Sequence, residues 1–371
     1  MAAAQELPQT HRALILTSTT APPEIKTIPT PHAVPGSVVV RMQVCNVVSY
    51  ASKIYNGTLN FPLLIPSVIG SSGIGRIVTV GPDATSLKPG QLVLVDSFIR
   101  ARDNPSVAFL LGIHEGFSDG SRVLARGEWR DATYAEYAKL PLENCYPLDE
   151  SKLLSHGLGY TIEELADISR LAVPYGGLAD IDIKAGETVI VAPATGPFGG
   201  AAVRVALAMG ARVIAMGRNA EVLKRIKENN ERVEVVPITG DAEGDLKALK
   251  QFGPIDAYFD ISPPAAAEST HLRSAMLALE HGGRVSLMGG IRSDISIPHA
   301  LVVHQELQLK GKWMYSREQM RGLIKMVEGG ILKIGSGSGR IVQKFALEDW
   351  HKAFEAAEGT LGTEKLAIIL P

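Results

Sequence analysis

Cysteine is nearly absent from the 371-residue chain, which contains only Cys45 and Cys145. Two cysteines cannot form a disulfide framework, and they cannot supply the four thiolates of a structural zinc site. Neither sign of charge dominates, because 37 Lys and Arg residues are balanced by 39 Asp and Glu residues, for a formal net charge of −2. This balance excludes the basic surface that nucleic-acid binding requires, so we expect no nucleic-acid partner.

Long apolar runs and targeting signals are also missing. No stretch reaches the roughly 18 apolar residues that span a bilayer, so no membrane partner is expected. Residues 1–10 lack a basic region followed by an apolar run, and we therefore expect no secretory signal. Hydrophobic residues still make up 46% of the chain, which is enough to build sizeable cores. These features predict a cytoplasmic enzyme that acts on a small-molecule substrate.

Short strands bounded by Gly or Pro dominate the first part of the chain, to about residue 165. Residues 38–44, 75–80 and 91–95 are rich in β-branched side chains and predict a barrel-like or sandwich-like β unit. From about residue 170 the pattern changes to alternating strands and helices, which predicts a parallel, doubly wound sheet. The predicted strands are 188–192, 212–216, 255–259 and 284–288, and the predicted helices are 197–209, 219–227 and 265–280.

A glycine-rich turn joins the strand at 188–192 to the next helix. Gly196 lets a pyrophosphate approach the backbone, and Gly199 allows the helix to pack tightly on the strand. The helix N-terminus offers unpaired N–H groups and a partial positive charge. Ala194 stands where the dinucleotide fingerprint has its first glycine, and the alternative is a turn that binds nothing. We predict a cofactor phosphate site formed by Ala194, Thr195, Gly196, Pro197, Phe198 and Gly199.

The end of the second strand predicts the type of cofactor. A NAD site normally places a carboxylate there for the ribose 2′-hydroxyl. This chain has Gly217, Arg218 and Asn219 instead. Gly217 leaves room, and Arg218 can donate charge-assisted hydrogen bonds to a 2′-phosphate. We therefore predict that NADPH is the cofactor; the alternative is that Arg218 is an ordinary solvated residue.

Several further segments carry a family resemblance. They are PSVIGSSGIG at 66–75, VGPD at 80–83, LKPGQLV at 87–93, ATYAEY at 132–137 and GETV at 186–189. In this order and spacing they resemble the medium-chain dehydrogenase/reductase superfamily, which includes alcohol dehydrogenases and quinone oxidoreductases. The resemblance implies an α/β protein with a GroES-like catalytic domain at 1–169 and a Rossmann cofactor-binding domain at 170–310. It also implies a C-terminal return to the catalytic domain at 311–371 and an active site in the cleft between the domains.

The same resemblance implies that the zinc ligands of related enzymes are lost here. The position of the first ligand, normally Cys, is Val48, and the Gly-His-Glu motif is replaced by Gly70-Ser71-Ser72. The third ligand falls near Ile168 or Ser169, and the lobe that normally holds a structural zinc, here residues 96–130, contains no Cys. Hydroxyl and alkyl groups cannot replace thiolate and imidazole around zinc. We predict an enzyme without a metal.

Without a Lewis acid, the best-suited reaction is hydride transfer to the activated C=C bond of an enone, or to a quinone. A hydroxyl group or water would stabilise and protonate the resulting enolate. The candidate catalytic residues are Tyr50, Ser49, Lys53 and Tyr55, with Ser71 and Ser72 on a neighbouring loop. For each of them the alternative is a structural role, and Tyr50 is the first to test. His114 is expected at the surface.

Two later segments are expected to contact the nicotinamide. Gly289, Gly290 and Ile291 follow a strand at the edge where open α/β sheets bind ligands. Trp313 and Met314 follow the last strand, and the alternative for both is core packing. Two other functions stay open: a zinc-free ketone or aldehyde reductase, and a non-catalytic NADPH-binding protein. By analogy with the family, the strand-like segment 301–310 is expected to pair across a homodimer.

Overall fold

A computed structural model describes residues 7–228, 230–359 and 365–371. Within these residues the chain divides into two compact units. The first contains the chain up to Ser169 and returns from Lys333 onward, whereas the second runs from Arg170 to Leu332. The return was expected at residue 311, so its position needs correction.

Among the described residues, ten strands and three short α-helices form the N-terminal part of the first unit. In chain order they are β1 (Thr10–Leu16), β2 (Glu24–Pro29), β3 (Ser37–Asn46), α1 (Ala51–Tyr55), β4 (Ser67–Val68), β5 (Gly73–Val80), β6 (Leu92–Val95), β7 (Phe98–Arg100), β8 (Ala108–Leu110), α2 (Asp119–Arg126), β9 (Tyr137–Pro141), β10 (Cys145–Pro147) and α3 (Glu150–Leu153). The strands predicted at 38–44, 75–80 and 91–95 are therefore confirmed as β3, β5 and β6.

The second unit alternates strands and helices. In chain order its elements are α4 (Asp167–Asp180, which starts in the first unit), β11 (Thr188–Ala192), α5 (Pro197–Ala208), β12 (Arg212–Gly217), α6 (Ala220–Glu228), β13 (Val233–Pro237), α7 (Ala242–Lys250), β14 (Ala257–Asp260), α8 (His271–Ala278), β15 (Arg284–Leu287), α9 (His299–His304), β16 (Gln308–Gly311) and α10 (Arg317–Glu328). The strands pair in the order β13-β12-β11-β14-β15-β16, and every pair is parallel. This is the predicted doubly wound sheet of Rossmann type.

Burial explains why the central strands were predictable. All five residues of β11 are buried, as expected of a parallel strand that is covered on both faces. Ile190 and Tyr258, which are paired across β11 and β14, lie in one apolar core with Leu272 and Met276 of α8. Met216 of β12 belongs to the same core.

Three predicted boundaries are wrong in this unit. The helix expected at 265–280 is confined to α8, which a short 3-10 helix at Pro264–Ala266 precedes. The strand expected at 301–310 is instead α9 followed by β16. Residues 311–332 belong to the second unit because β16 pairs with β15, and because Gln319 of α10 donates from Nε2 to the Gly176 carbonyl at 3.1 Å.

The C-terminal return completes the sheet of the first unit. Its elements are β17 (Ile341–Ala346), α11 (Trp350–Glu358) and β18 (Lys365–Leu370). They extend a seven-stranded sheet in the order β10-β6-β5-β3-β18-β17, in which β9 also pairs with β3. The first unit also contains a separate three-stranded sheet with the order β2-β1-β4, and a two-stranded sheet of β7 and β8. None of the helices in the described part of the chain has the length and apolarity needed to cross a membrane.

Candidate active site

Asn46, the last residue of β3, joins three separate segments of the first unit. Its backbone N–H donates to the Ser72 carbonyl at 2.9 Å, and its backbone carbonyl accepts the Ser71 hydroxyl at 2.9 Å. Its side-chain Nδ2 donates to the Ala166 carbonyl, also at 2.9 Å. The three segments in which the resemblance expects zinc ligands are therefore linked by hydrogen bonds.

The side chains of these segments do not form a zinc site. Val48 offers only an alkyl group, and Ile168 is fully buried. The Ser71 hydroxyl is used by Asn46, and the Ser72 hydroxyl lies 3.1 Å from the hydroxyl of Ser97. Across the described residues, no group of three or more His, Cys, Asp or Glu side chains is arranged to hold a metal ion. Zinc requires thiolate, imidazole or carboxylate ligands, so these residues do not fit it.

Ser49 and Tyr50 lie directly before α1 and are half-buried. Burial raises the pKa of the Tyr50 phenol above its ordinary value of 10.0, so the hydroxyl keeps its proton at neutral pH. Neither hydroxyl has a hydrogen-bond partner among the residues that the structure describes. Tyr50 therefore carries a protonated hydroxyl without a partner in the described chain.

The structure argues against two other predicted catalytic residues. Tyr55 is buried against the Gly70 backbone, where its hydroxyl donates to the carbonyl and accepts from the N–H, both at 3.2 Å. Its ring also packs on Phe354, with 5.6 Å between ring centroids. Lys53 is exposed, and its Nζ lies 3.3 Å from Oε1 of Glu358. Tyr55 is thus a packing residue and Lys53 is part of a surface ion pair.

His114 was expected at the surface, and that prediction is wrong. Only 6% of the residue is exposed, and its Nδ1 accepts the Gly116 N–H at 3.0 Å. The rings of Phe61 and Phe117 contact the imidazole at centroid distances of 5.7 and 4.9 Å. Desolvation lowers the pKa of His114 from 6.5 to about 4. A neutral, enclosed imidazole of this kind has a packing role.

The two glycines of the turn after β11 have different surroundings. A Cβ atom at Gly199 would lie 1.9 Å from the carbonyl oxygen of Pro193, so only glycine permits this approach of helix to strand. A Cβ atom at Gly196 would instead meet no protein atom within 4 Å. Gly196 precedes α5, and Pro197 is its first residue. The N–H groups of the first turn of α5, Phe198 among them, have no partner inside the helix, which is the general property that anion sites at helix N-termini use.

Gly217, at the end of β12, does not leave open space for a ligand as predicted. A Cβ atom there would lie 2.4 Å from Cγ2 of Thr195, so the space at Gly217 is taken by the threonine. Asn219 caps α6, because its Oδ1 accepts the Val222 N–H at 3.1 Å. Arg218 is exposed between them. Of the three residues predicted to contact the ribose, Arg218 is therefore the one available to a ligand.

The segments expected to contact the nicotinamide follow the carboxyl ends of β15 and β16. Gly289 and Gly290 are exposed, and Ile291 is half-buried. Trp313 is 48% exposed, which excludes core packing for this side chain. Met314 is half-buried and has a φ of 61°, a backbone conformation that few residues other than glycine adopt.

Comparisons with known proteins agree with this architecture. The family model for the alcohol dehydrogenase GroES-like domain matches residues 34–150. The family model for zinc-binding dehydrogenases matches residues 197–329. The first match falls within the first unit and the second match within the second unit. They confirm a GroES-like domain followed by a Rossmann-type domain, and they support an oxidoreductase.

Individual members of the superfamily are only distantly similar. An L-threonine 3-dehydrogenase from Anaeromyxobacter dehalogenans (strain 2CP-C) is 25% identical over 300 residues, which is 78% of this chain and 78% of that protein. The alcohol dehydrogenase of Thermus sp. ATN1 is 21% identical, with a TM-score of 0.78 over 97% of this chain and 99% of that one. A short chain alcohol dehydrogenase from E. coli CFT073, solved with NADH, is 18% identical, with a TM-score of 0.78 over 98% and 100%. The two structures show the fold alone.

Sequence reasoning missed Asn46 entirely. Its Oδ1 is buried without a hydrogen-bond partner in the described part of the chain. Tyr134, also missed, donates its hydroxyl to the Asn46 carbonyl at 2.9 Å from 88 residues away. The only sequence signal was the position of Asn46 at the end of a buried strand, close to Val48.

Proposed function

We propose that the protein is an NADPH-dependent, zinc-independent reductase that transfers hydride to the activated C=C bond of an enone or to a quinone. The observation that carries this proposal is the network around Asn46. Hydroxyl and amide groups join the three segments in which related enzymes hold zinc. One of the matching family models describes zinc-binding dehydrogenases, but no group of three or more His, Cys, Asp or Glu side chains among the described residues is arranged to hold a metal ion.

The second unit supports the cofactor part of the proposal. The open face of Gly196 and the N-terminus of α5 suit a pyrophosphate, and the exposed Arg218 suits a 2′-phosphate. Ala194 secures the loop by donating its N–H to the Met216 carbonyl at 2.6 Å. Once bound, NADPH would supply the hydride.

Tyr50 is the proposed proton donor. Negative charge develops on the carbonyl oxygen of an enone when hydride reaches its β carbon, and a donor at that oxygen lowers the barrier. The Tyr50 hydroxyl is unpaired within the described chain and stays protonated, because burial raises its pKa. Ser49 is the neighbouring hydroxyl available for the same role.

A substrate screen tests the reaction class directly. NADPH oxidation is followed at 340 nm with cyclohexenones, 2-alkenals, benzoquinones and simple ketones, and the products are identified by mass. We expect saturated ketones and aldehydes, or hydroquinones, as products. Reduction of simple ketones to alcohols, with no reduction of C=C bonds or quinones, would contradict the proposal. Cofactor binding without turnover of any class would indicate a non-catalytic binding protein.

The second candidate is a zinc-free dehydrogenase or reductase that interconverts alcohols and carbonyl compounds. The names of similar proteins favour it, since they are L-threonine and alcohol dehydrogenases. Oxidation of L-threonine or of secondary alcohols with NADP⁺ or NAD⁺, measured beside the first screen, distinguishes it. The hydroxyls of Tyr50 and Ser49 would then orient the carbonyl oxygen by hydrogen bonding alone.

We also propose that the protein is a homodimer. β16 lies at the edge of the six-stranded sheet and pairs with β15 on one side. An edge strand of this kind is available for pairing with a second copy. Sedimentation equilibrium should give twice the mass of the 39.6 kDa chain, and a monomer at micromolar concentration would refute the proposal.

A further inference from the structure

A chain of four side chains crosses the carboxyl end of β14. The Ser262 hydroxyl donates to Oδ1 of Asp260 at 2.5 Å and lies 2.8 Å from Nε2 of His271. On the other side of the ring, Nδ1 of His271 lies 2.6 Å from the hydroxyl of Ser269. Tyr258 also donates to Oδ1 of Asp260, at 3.1 Å. The result is a continuous path from serine to imidazole to serine to carboxylate.

The Ser262 hydroxyl has a defined donor and acceptor role in this path. Ser262 has one proton, and Asp260 accepts it, so the hydroxyl oxygen is left to accept the proton on Nε2 of His271. Nδ1 of His271 shares the remaining hydrogen bond of the path with the Ser269 hydroxyl. Each link thus depends on the next, and loss of one member leaves a buried polar group unpaired.

The path is enclosed in the protein. Asp260, Ser262 and His271 are 3%, 1% and 1% exposed. A buried polar network of this kind costs free energy unless every member is paired. The proposed proton donor and cofactor phosphate site do not use these side chains, which leaves their function to be explained.

The loop that follows β15 rests on this path. Met288 donates its N–H to the Asp260 carbonyl at 3.0 Å, and Gly290 donates to the Ser262 carbonyl at 2.7 Å. A Cβ atom at Gly289 would lie 2.5 Å from Oδ2 of Asp260. The carboxylate therefore lies directly against Gly289, and the residues that hold the carboxylate also hold the loop.

We propose that His271 is a positioning residue, which acts through Ser262 and Asp260 to fix the loop at 288–291 for the nicotinamide half of the cofactor. This inference rests on the proposed function, because it assumes that Gly289 and Gly290 contact the nicotinamide. Gly289 and Gly290 are exposed at the carboxyl edge of the sheet, next to a buried network that holds them in one conformation. Preorganisation of this loop favours the bound geometry without a direct contact from His271.

A matched pair of serine variants tests the inference. Ser262→Ala removes the link between His271 and Asp260. Ser274→Ala is the control, because Ser274 is a fully buried serine of α8 whose hydroxyl donates to the carbonyls of Ala242 and Thr270, outside the path. Each variant is titrated with NADPH and with 2′-phospho-ADP-ribose, which has the adenosine half and the pyrophosphate but no nicotinamide. Thermal melting of each variant monitors folding.

We expect Ser262→Ala to weaken NADPH binding about tenfold and to change 2′-phospho-ADP-ribose binding less than about twofold. Ser274→Ala should change neither affinity by more than about twofold. Equal weakening of both ligands by Ser262→Ala, or no weakening of NADPH, would overturn the positioning role. Failure of the wild-type protein to bind either ligand would instead refute the proposed cofactor, so the two failures are distinguishable.

Variants of His271 give an independent measurement. His271→Gln retains a donor that can reach Ser262, whereas His271→Leu fills the space without one. We expect His271→Gln to keep NADPH affinity within about threefold, and His271→Leu to reproduce the selective loss seen with Ser262→Ala. Identical affinities for NADPH in the two folded variants would show that the imidazole only fills space.

Discussion

Arg218 follows β12 directly and is exposed at the strand end where a bound ribose 2′-phosphate is expected. Hydrogen bonds to a charged group contribute about 1.5–3 kcal/mol each, which corresponds to roughly tenfold to a hundredfold in affinity. An exposed guanidinium is screened by solvent, so the lower end of this range applies. We therefore expect Arg218→Ala to weaken NADPH binding about tenfold and to leave NADH binding within about twofold.

The matched control is Arg212→Ala. Arg212 is the first residue of β12 and is also exposed, but it lies at the opposite end of the strand, about 20 Å away at about 3.3 Å per residue. Titration of both variants and of the wild-type protein, followed by the fluorescence of the reduced cofactor, gives the affinities. Repeating the titrations at higher salt adds a second signature, because salt should weaken NADPH binding in the wild-type protein more than in Arg218→Ala.

Two results would refute this reasoning. Equal or tighter binding of NADH than of NADPH by the wild-type protein would show that the missing carboxylate at Gly217 does not select the phosphorylated cofactor. An unchanged NADPH affinity in Arg218→Ala would show that the guanidinium points to solvent in the complex as well. A loss shared by Arg212→Ala would indicate a general effect of positive charge.

Three further predictions follow from the two units. Tyr50→Phe should slow the protonation step at least about a hundredfold with little change in NADPH affinity, and equal rates for the wild type and this variant would exclude Tyr50 as the proton donor. Tyr55→Phe should cost about 1 kcal/mol of unfolding free energy and leave turnover unchanged. Elemental analysis should find far less than one zinc per chain, and EDTA should not change activity; one bound zinc whose removal abolishes activity would contradict the donor set. The Gly196→Ala variant should melt within a few degrees of the wild type, because a Cβ atom at this position meets no protein atom within 4 Å. It should weaken the binding of NADPH and of NADH about tenfold, because the methyl group would block the pyrophosphate. Unchanged affinities would place the phosphates elsewhere.

The sheet of the second unit could be predicted because its strands are buried on both faces. A continuous apolar run such as β11 leaves few alternatives to a parallel strand. The predictions failed where local composition and tertiary context disagree. The helix expected at 265–280 begins only at His271, and the Ser269 hydroxyl just before it bonds the His271 ring across the turn, which the local composition does not indicate. Leu301 and Val302 look like strand residues, but in α9 they pack against the core that α8 also covers.

The sequence predicted which segments form the candidate site, but not the side-chain contacts between them. The resemblance indicated which loops should hold zinc ligands in related enzymes, and Asn46 does connect those loops. The connections themselves join Asn46 to Ser71 across 25 residues and to Ala166 across 120. Hydrogen bonds between residues so far apart in the sequence leave no periodic pattern of residue types. Neither the bonds of Asn46 nor the path from Asp260 to His271 could therefore be predicted from the sequence.

In the zinc-independent enzyme that we propose, the network around Asn46 would take over the structural role of a metal. A structural zinc stabilises small peptides by about 10–16 kcal/mol, whereas a hydrogen bond contributes about 1 kcal/mol net. The bonds of Asn46 therefore cannot hold the site by themselves. The remainder comes from β3, which pairs with β5, β9 and β18 and leaves Asn46 at a fixed strand end. Because the sheet already supports this position, we propose that hydroxyl and amide side chains are sufficient to orient the loops, and that the chemistry depends on the cofactor and a proton donor.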